Sequence, residues 1–160
     1  MSNIVQLKPN DTYELELVKR SLIGLRSCYP KFEEWFNEKV YPNVSKSRQV
    51  FLATHNGIFS GALILKNTPN EKKVCTLFVN ENNRFNKLGT DLIRIASEEL
   101  ETYKLPITVS SEVHNVFSNA ESFNFYQTDK RKNMYTDGVD EYLGYILFHD
   151  PDRKLHRKIL

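Results

Sequence analysis

Apolar residues recur along this chain with two different periods, one typical of strands and one typical of helices. Runs rich in β-branched and aromatic residues predict strands at residues 4–7, 50–55, 58–65, 74–79, 105–111 and 142–148. Asn56-Gly57 separates two of these runs, and Asn-Gly between apolar runs predicts a tight hairpin. Asp137-Gly138 predicts a second turn before the last strand. The pattern therefore predicts a sheet that includes β-hairpins.

Further segments have apolar residues three or four positions apart, which predicts helices. They begin near residue 12, at residue 30, after residue 89 and near residue 113, and they end near residues 25, 40, 100 and 122. Asp11 and Thr12 both suit the N-cap of the first helix, and Pro30 suits the first turn of the second. The predicted order is strand, two helices, hairpin, strand, helix, strand, helix and a final hairpin.

The segment from Val74 to Leu100 combines a strand, a polar loop and a helix. The first turn of a helix has unpartnered N–H groups and partial positive charge, so it suits a phosphate group. Arg84 and Lys87 add cations to the loop, and Gly89 allows close approach of the backbone. An ordinary strand-to-helix turn remains an equal alternative from the loop alone. A Walker loop and a dinucleotide fingerprint are excluded, because the loop has a single glycine.

This loop, with its flanking elements, resembles a known signature. Arg84-Phe85-Asn86-Lys87-Leu88-Gly89-Thr90 resembles the Gln/Arg-x-x-Gly-x-Gly/Ala motif of the GNAT N-acetyltransferases. Arg84 stands at the first position of the motif and Gly89 at the last, while Lys87 stands where the family prefers glycine. The predicted order of elements is also that of the GNAT fold. Residues 73–79 and 106–110 are similar to strands of a bacterial GNAT subgroup of unassigned substrate.

The resemblance implies a fold and a cofactor. The fold is α/β (α+β), with a central, mixed, mostly antiparallel twisted sheet splayed at its middle and flanked by about four helices. Acetyl-CoA is the implied co-substrate, with its pyrophosphate held by the loop residues Arg84, Phe85, Asn86, Lys87, Leu88, Gly89 and Thr90. Its pantetheine arm is expected to pair with backbone groups of Phe78 and Val79, which a β-bulge there would free from the sheet. The arm is also expected to form a hydrogen bond with Asn115.

The resemblance also implies direct attack of a neutral primary amine on the acetyl thioester, without a covalent enzyme intermediate. A backbone amide polarises the thioester carbonyl, and side chains take up and return protons. Glu81, Glu112 and His114 are candidates for the base, directly or through water. The family's tyrosine acid falls at Ala120, which leaves Tyr126 as the nearest candidate. Glu81 and Tyr126 are therefore the predicted catalytic residues.

Composition sets limits around this interpretation. The 160 residues predict one domain over residues 1–160, with a basic tail over residues 149–160. A net charge of +2 is too small to argue for a membrane or a nucleic acid as partner, so neither is expected. Cys28 and Cys75 lack the spacing of metal ligands, so no metal is expected. Both are expected to be buried thiols of a protein in a reducing compartment. The absence of a signal-peptide pattern predicts a cytoplasmic protein. The basic run at residues 129–132 is expected in a solvated loop.

Three function hypotheses follow. The first is an acetyl-CoA-dependent N-acetyltransferase acting on a small-molecule or peptide amine, with homodimerisation left open. The second is a degenerate GNAT-fold protein that binds CoA or a protein partner without turnover. It is favoured by Lys87, by the missing tyrosine, and by Asn124 where the family ends a helix with glycine. The third is transfer to aminoacyl-tRNA, supported by the basic tail and distinguished by salt-sensitive RNA binding.

Overall fold

Seven strands form one mixed sheet in the described residues, which are 2–24, 29–80, 87–110, 123–136 and 139–148 of this computed structural model. The strands are β1 (Asn3–Gln6), β2 (Arg48–His55), β3 (Ile58–Asn67), β4 (Lys72–Val79), β5 (Lys104–Ser110), β6 (Phe123–Thr136) and β7 (Val139–Phe148). Their order across the sheet is β1-β2-β3-β4-β5-β7-β6. Neighbouring strands are antiparallel except β4 and β5, which are parallel. The mixed, mostly antiparallel sheet implied by the resemblance is confirmed.

Three helices flank the sheet in these ranges: α1 (Thr12–Leu22), α2 (Phe32–Trp35) and α3 (Leu88–Leu100). The helix predicted over residues 30–40 is interrupted, because Phe36–Val40 forms a π turn and Tyr41–Asn43 a 3-10 turn. Pro42 lacks the N–H that a regular helix would use at this point. The helix predicted over residues 113–122 lies outside the described residues. None of the helices in the described ranges is long and apolar enough to cross a membrane.

The sheet separates two hydrophobic cores. On one side, here called the α3 face, α3 packs against Phe51, Ala53, Leu63, Leu65, Val74, Leu105 and Ile107. On the other side, the α1–α2 face, α1 and the segment after it pack against Val50, Leu52, Ala62 and Ile64. Alternate residues of β2 and β3 therefore enter different cores. This double burial explains why residues 50–53 and 62–65 are apolar without interruption.

The hairpin predicted at Asn56-Gly57 is confirmed. β2 ends and β3 begins on either side of it, and the two strands pair antiparallel. Asn56 and Gly57 have φ angles of 52° and 78°, as a two-residue hairpin turn favours. The predicted turn Asp137-Gly138 lies outside the described residues, but β6 and β7 pair up to its two sides, where Thr136 is opposite Val139.

The basic run at residues 129–132 is exposed to solvent as predicted, but it lies in the strand β6, so the prediction of a loop is wrong. Asn124 also lies in β6, paired with Leu147, which makes it an extended strand residue rather than a left-handed helix end. Among the described residues β6 is an edge strand, because it stands last in the order of the sheet. An exposed edge can pair with another chain, and charged side chains discourage that pairing. The run fits this protective role, since Asp129, Lys130, Arg131 and Lys132 are exposed.

Replacing charges on this edge is expected to promote self-association. In the double variant Arg131→Val with Lys132→Val, two exposed charges give way to a residue that favours strand pairing. We expect the mass measured by static light scattering to rise with protein concentration above that of the wild type. Lys31→Val with Lys46→Val removes the same charge from exposed positions outside β6 and serves as the control. An equal rise in both double variants would contradict the role of the edge.

Candidate active site

The parallel strands β4 and β5 separate almost as soon as they meet. In the described residues their pairing consists of Val74 opposite Ile107. Beyond that pair, β4 continues to Val79 and β5 to Ser110 without further pairing between them in the described residues, and the space between them is here called the gap. At about 3.3 Å per residue, its β4 wall is about 15 Å long. The splayed sheet implied by the resemblance is therefore present at this position.

A β-bulge in β4 marks the point where the gap opens. Ile64 of β3 pairs with Thr76 and Leu65 pairs with Val74, so Cys75 is an extra residue of β4. A bulge bends its strand and increases the local twist. This bend explains why β4 leaves β5 immediately after their last shared pair.

The β4 wall of the gap presents backbone groups in a defined pattern. Phe78 and Val79 keep their register with β3, so the bulge expected there is wrong. The Asn80 N–H donates to the Ser60 carbonyl at 2.8 Å, which makes Val79 part of a non-hydrogen-bonded pair in the antiparallel ladder. Backbone groups of such a pair point away from the partner strand. The N–H and C=O groups of Leu77 and Val79 therefore point into the gap, whereas those of Phe78 point toward β3.

The β5 wall follows the same rule. The Phe148 N–H donates to the Tyr103 carbonyl at 3.0 Å, and the register with β7 is unshifted from there to Ser110. By alternation, the backbone groups of Pro106, Thr108 and Ser110 point toward β4. Pro106, which has no N–H, therefore removes no bond from the β5–β7 ladder. Both walls of the gap thus offer strand-like backbone groups to an extended ligand.

The first turn of α3 lies beside the open end of β4. A Cβ atom on Gly89 would be 3.8 Å from Val79 Cγ2, an ordinary van der Waals contact. Leu88 is 1% exposed and anchors this turn in the core of the α3 face. The Asp91 N–H donates to the Lys87 carbonyl at 3.0 Å, and the N–H groups before it are those without intrahelical partners. A helix N-terminus suited to an anion therefore stands next to the gap.

Lys87 explains how a non-glycine residue fits the signature. Its φ and ψ are 60° and 11°, in the left-handed region. A side chain costs about 1 kcal/mol in that region, whereas glycine adopts it freely. The backbone therefore has the conformation expected at the motif's glycine position, although the residue differs. Close by, the Asp91 carboxylate is paired with Arg94 Nη1 at 3.0 Å, which weakens its repulsion of an anion.

The structure brings together part of the predicted cofactor site. The end of β4 places Phe78 and Val79 beside the start of α3, which holds Lys87, Leu88, Gly89 and Thr90. The backbone groups of Phe78 point toward β3, so they do not serve the predicted pairing. The other predicted cofactor residues lie outside the described residues, and they are Arg84, Phe85, Asn86 and Asn115. The candidate bases Glu81, Glu112 and His114 also lie outside them.

Tyr126, the predicted acid, lies in β6 rather than beside the gap. It is opposite Tyr145, whose partner in β5 is Pro106 at the closed end of the gap. Three strand spacings of about 4.8 Å separate β6 from β4. The Tyr126 ring is 41% exposed and stacks on Tyr145 with 5.4 Å between centroids. The structure thus does not bring Tyr126 to the open end of the gap.

Two residues of the site are absent from the sequence-based prediction. Leu77 contributes backbone groups to the gap, which only the pairing with β3 reveals. Gly61 of β3 lets backbones approach closely, since a Cβ atom there would be 2.7 Å from the Phe78 carbonyl oxygen and 3.2 Å from Leu88 Cδ2. A glycine inside an apolar strand is a signal of such close approach, so Gly61 was open to prediction.

Cys75 lies at the closed end of the gap but does not have the properties of a nucleophile. Burial raises the pKa of its thiol, and the Arg48 guanidinium offsets part of this effect. Arg48 Nη1 is 3.2 Å from Cys75 Sγ, and the guanidinium lies 5.8 Å from the centre of the Trp35 ring. A raised pKa leaves little thiolate at neutral pH. Within the described ranges, no group of three or more His, Cys, Asp and Glu side chains could hold a metal ion.

Solved structures with this fold include several acetyltransferases. The ribosomal-protein alanine N-acetyltransferase of Escherichia coli has a TM-score of 0.67 at 21% identity, covering 96% of this chain and 98% of its own. A protein of Desulfovibrio desulfuricans assigned to the GNAT acetyltransferase family has a TM-score of 0.64 at 15% identity, with coverages of 92% and 99%. A chain of the NatC complex bound to Gag peptide and CoA has a TM-score of 0.65 at 15% identity, with coverages of 93% and 99%.

These likenesses establish the fold. The chain has the GNAT fold over most of its length, and the splayed pair of parallel strands is part of it. By sequence, no protein-family model and no curated protein matches the chain. The chemistry must therefore be argued from the gap and the helix beside it.

Proposed function

We propose that this protein is an acyltransferase that moves the acetyl group of acetyl-CoA to a primary amine by direct attack. One observation carries the proposal: a gap between two parallel strands, lined by backbone groups, stands beside the N-terminus of α3. The Escherichia coli neighbour acts, by its name, on an alanine of a ribosomal protein, and the NatC structure holds a peptide and CoA. Both support a peptide or small-molecule amine as acceptor.

Cofactor binding is proposed to use the two backbone features of the site. The N–H groups of Leu88, Gly89 and Thr90, with the cations of Arg84 and Lys87, hold the pyrophosphate of CoA. The loop residues Phe85 and Asn86 complete this cradle, and Asn115 bonds the pantetheine arm. The backbone groups of Leu77 and Val79 pair with the amides of the arm as an added strand would.

Catalysis is proposed to rest on positioning and on one backbone donor. A backbone N–H at the open end of β4 stabilises the negative charge that develops on the thioester oxygen as the amine attacks. Glu81, which follows β4 closely in sequence, takes the proton of the amine directly or through water. A thiol with a pKa of about 8.5 leaves as a thiolate without a strong acid. We therefore propose that solvent, rather than Tyr126, supplies its proton.

A second function is favoured by a specific observation. Tyr126 lies three strands from β4, and the family's tyrosine position holds Ala120. A protein without its acid could keep the phosphate site and the gap and bind CoA without turnover, as a regulatory or interaction module. Binding of CoA supports both functions, and turnover separates them.

Thermal melting with acetyl-CoA or CoA, followed by an amine screen, tests the proposal. A ligand that binds only the folded protein at about 100 times its Kd adds about 2.7 kcal/mol of stability. For a domain of this size we expect the Tm to rise by about 5–10 °C. Release of free CoA thiol is then measured with alanine-initiated peptides, free lysine and spermidine. Thiol release that depends on an amine supports transfer, binding without release supports the second function, and no Tm rise at millimolar acetyl-CoA overturns both.

A further inference from the structure

A hydrogen bond ties the segment before α2 to the C-terminal hairpin. The Tyr29 hydroxyl donates to Glu141 Oε1 at 2.8 Å, across 112 positions of sequence. The Tyr29 ring packs against the core of the α1–α2 face. Glu141 belongs to β7 and is 1% exposed. The bond therefore joins two distant parts of the chain on the α1–α2 face of the sheet.

The acceptor of this hydrogen bond is a buried carboxylate, Glu141. The buried polar residues of the described chain are Arg48, Ser60, Ser97 and Glu141, so Glu141 is the one carboxylate among them. Taking a carboxylate out of water is costly, and hydrogen bonds must offset that cost. A hydrogen bond to a charged group is stronger than one between neutral groups. Tyr29 is therefore held firmly at this position.

The contact lies at the open end of the gap. Glu141 is opposite Ser110, the last residue of β5, so it stands behind the β5 wall where β4 and β5 are apart. The proposed phosphate site is on the α3 face, because Leu88 and the rest of α3 pack there. A cofactor that starts at α3 and passes through the gap presents its acyl end to the opposite face. The acceptor amine then approaches from the α1–α2 face, where Tyr29 lies.

We propose that the hydrogen bond from Tyr29 to Glu141 positions the acceptor side of the gap. Tyr29 is a positioning residue here: Glu141 fixes its ring, and the ring fixes the start of the segment that leads into α2. The inference rests on the proposed transfer of an acetyl group to an amine. It predicts that loss of the bond disturbs the acceptor and spares acetyl-CoA, which binds on the other face.

The test compares two Michaelis constants in three variants. Tyr29→Phe removes the donor and leaves the ring in the core, so the fold is expected to survive, which the Tm checks. Glu141→Gln keeps an oxygen that accepts from Tyr29. Tyr13→Phe removes a hydroxyl from a side chain that is 77% exposed on α1 and is the matched control. KM is measured for acetyl-CoA and for whichever amine, an alanine-initiated peptide or spermidine, the wild type acetylates faster.

We expect Tyr29→Phe to raise KM for the amine about tenfold, the equivalent of a hydrogen bond to a charged group. KM for acetyl-CoA is expected to change less than twofold, as are both constants in Tyr13→Phe. Glu141→Gln is expected to fall between the wild type and Tyr29→Phe. An active Tyr29→Phe enzyme with an unchanged KM for the amine, or with equal rises in both KM values, would overturn this inference and leave the proposed transfer standing. A wild type that binds acetyl-CoA but acetylates none of the alanine-initiated peptides, free lysine and spermidine would overturn the proposed transfer and the inference with it.

Discussion

Gly89→Glu is expected to leave the protein folded and to abolish the rise in Tm that acetyl-CoA produces. The new side chain begins in ordinary contact, since a Cβ atom would be 3.8 Å from Val79 Cγ2. Glutamate has a higher helix propensity than glycine, and a negative charge in the first turn is favourable by about 0.3–1 kcal/mol. The same charge stands where the pyrophosphate is proposed to bind. Stability and affinity are therefore expected to change in opposite directions.

Thr12→Glu provides the matched control for this variant. Thr12 is exposed in the first turn of α1, so the substitution adds the same charge to another helix N-terminus. We expect its Tm with acetyl-CoA to rise by the wild-type amount, about 5–10 °C at 100 times the Kd. In Gly89→Glu the rise is expected to fall below about 1 °C while the Tm without ligand is unchanged or higher. A full rise in Gly89→Glu would show that the phosphate does not bind at α3.

Gly144→Ala is expected to be the most destabilising single substitution proposed for this chain. Gly144 lies in β7 between β5 and β6. A Cβ atom there would be 2.1 Å from the Tyr126 carbonyl oxygen, 3.0 Å from the Tyr126 carbonyl carbon and 3.1 Å from Gln127 Cα. All three atoms belong to the backbone, so no side chain can move aside. The strands must separate, at a cost of about 3 kcal/mol or more.

For a domain of this size, 3 kcal/mol corresponds to a fall in Tm on the order of 10 °C. Gly24→Ala is the matched control, because a Cβ atom on Gly24 would have nothing within 4 Å. We expect the control to differ from the wild type by less than about 1 kcal/mol. Differential scanning calorimetry of the two alanine variants measures both values. A Tm for Gly144→Ala within 2 °C of the control would show that β6 and β7 do not pair as closely as described.

Local chemistry made most of the central sheet predictable. Asn-Gly at positions 56 and 57 favours a left-handed two-residue turn, and the apolar runs on both sides pair as the two strands of a hairpin. The change from strand period to helix period around Gly89 likewise located β4 and α3. The parts that failed depend on contacts distant in sequence. The charges at residues 129–132 suggested a loop, but they belong to an edge strand whose role depends on the order of the whole sheet.

The candidate site likewise has one part that the sequence predicts and one part that it does not. The helix N-terminus at Leu88 to Thr90 was visible in sequence, because phosphate binding there uses backbone groups and needs little from side chains. The sequence predicts the bulge at Phe78 and Val79, but it lies at Cys75, since strand register is a property of two strands and not of one. Tyr126 was assigned by its nearness in sequence to Ala120. Its pairing in β6 carries it away from the gap.

Amide hydrogen exchange of Leu77, measured with and without acetyl-CoA, shows whether the cofactor binds along β4. The Leu77 N–H points into the gap, where we propose that it pairs with the arm of the cofactor. The Phe78 N–H points to β3 and serves as the internal control in the same spectrum. We expect saturating acetyl-CoA to slow exchange at Leu77 about tenfold or more while Phe78 changes little. Exchange at Leu77 that is unchanged in a protein saturated with acetyl-CoA would contradict binding along β4.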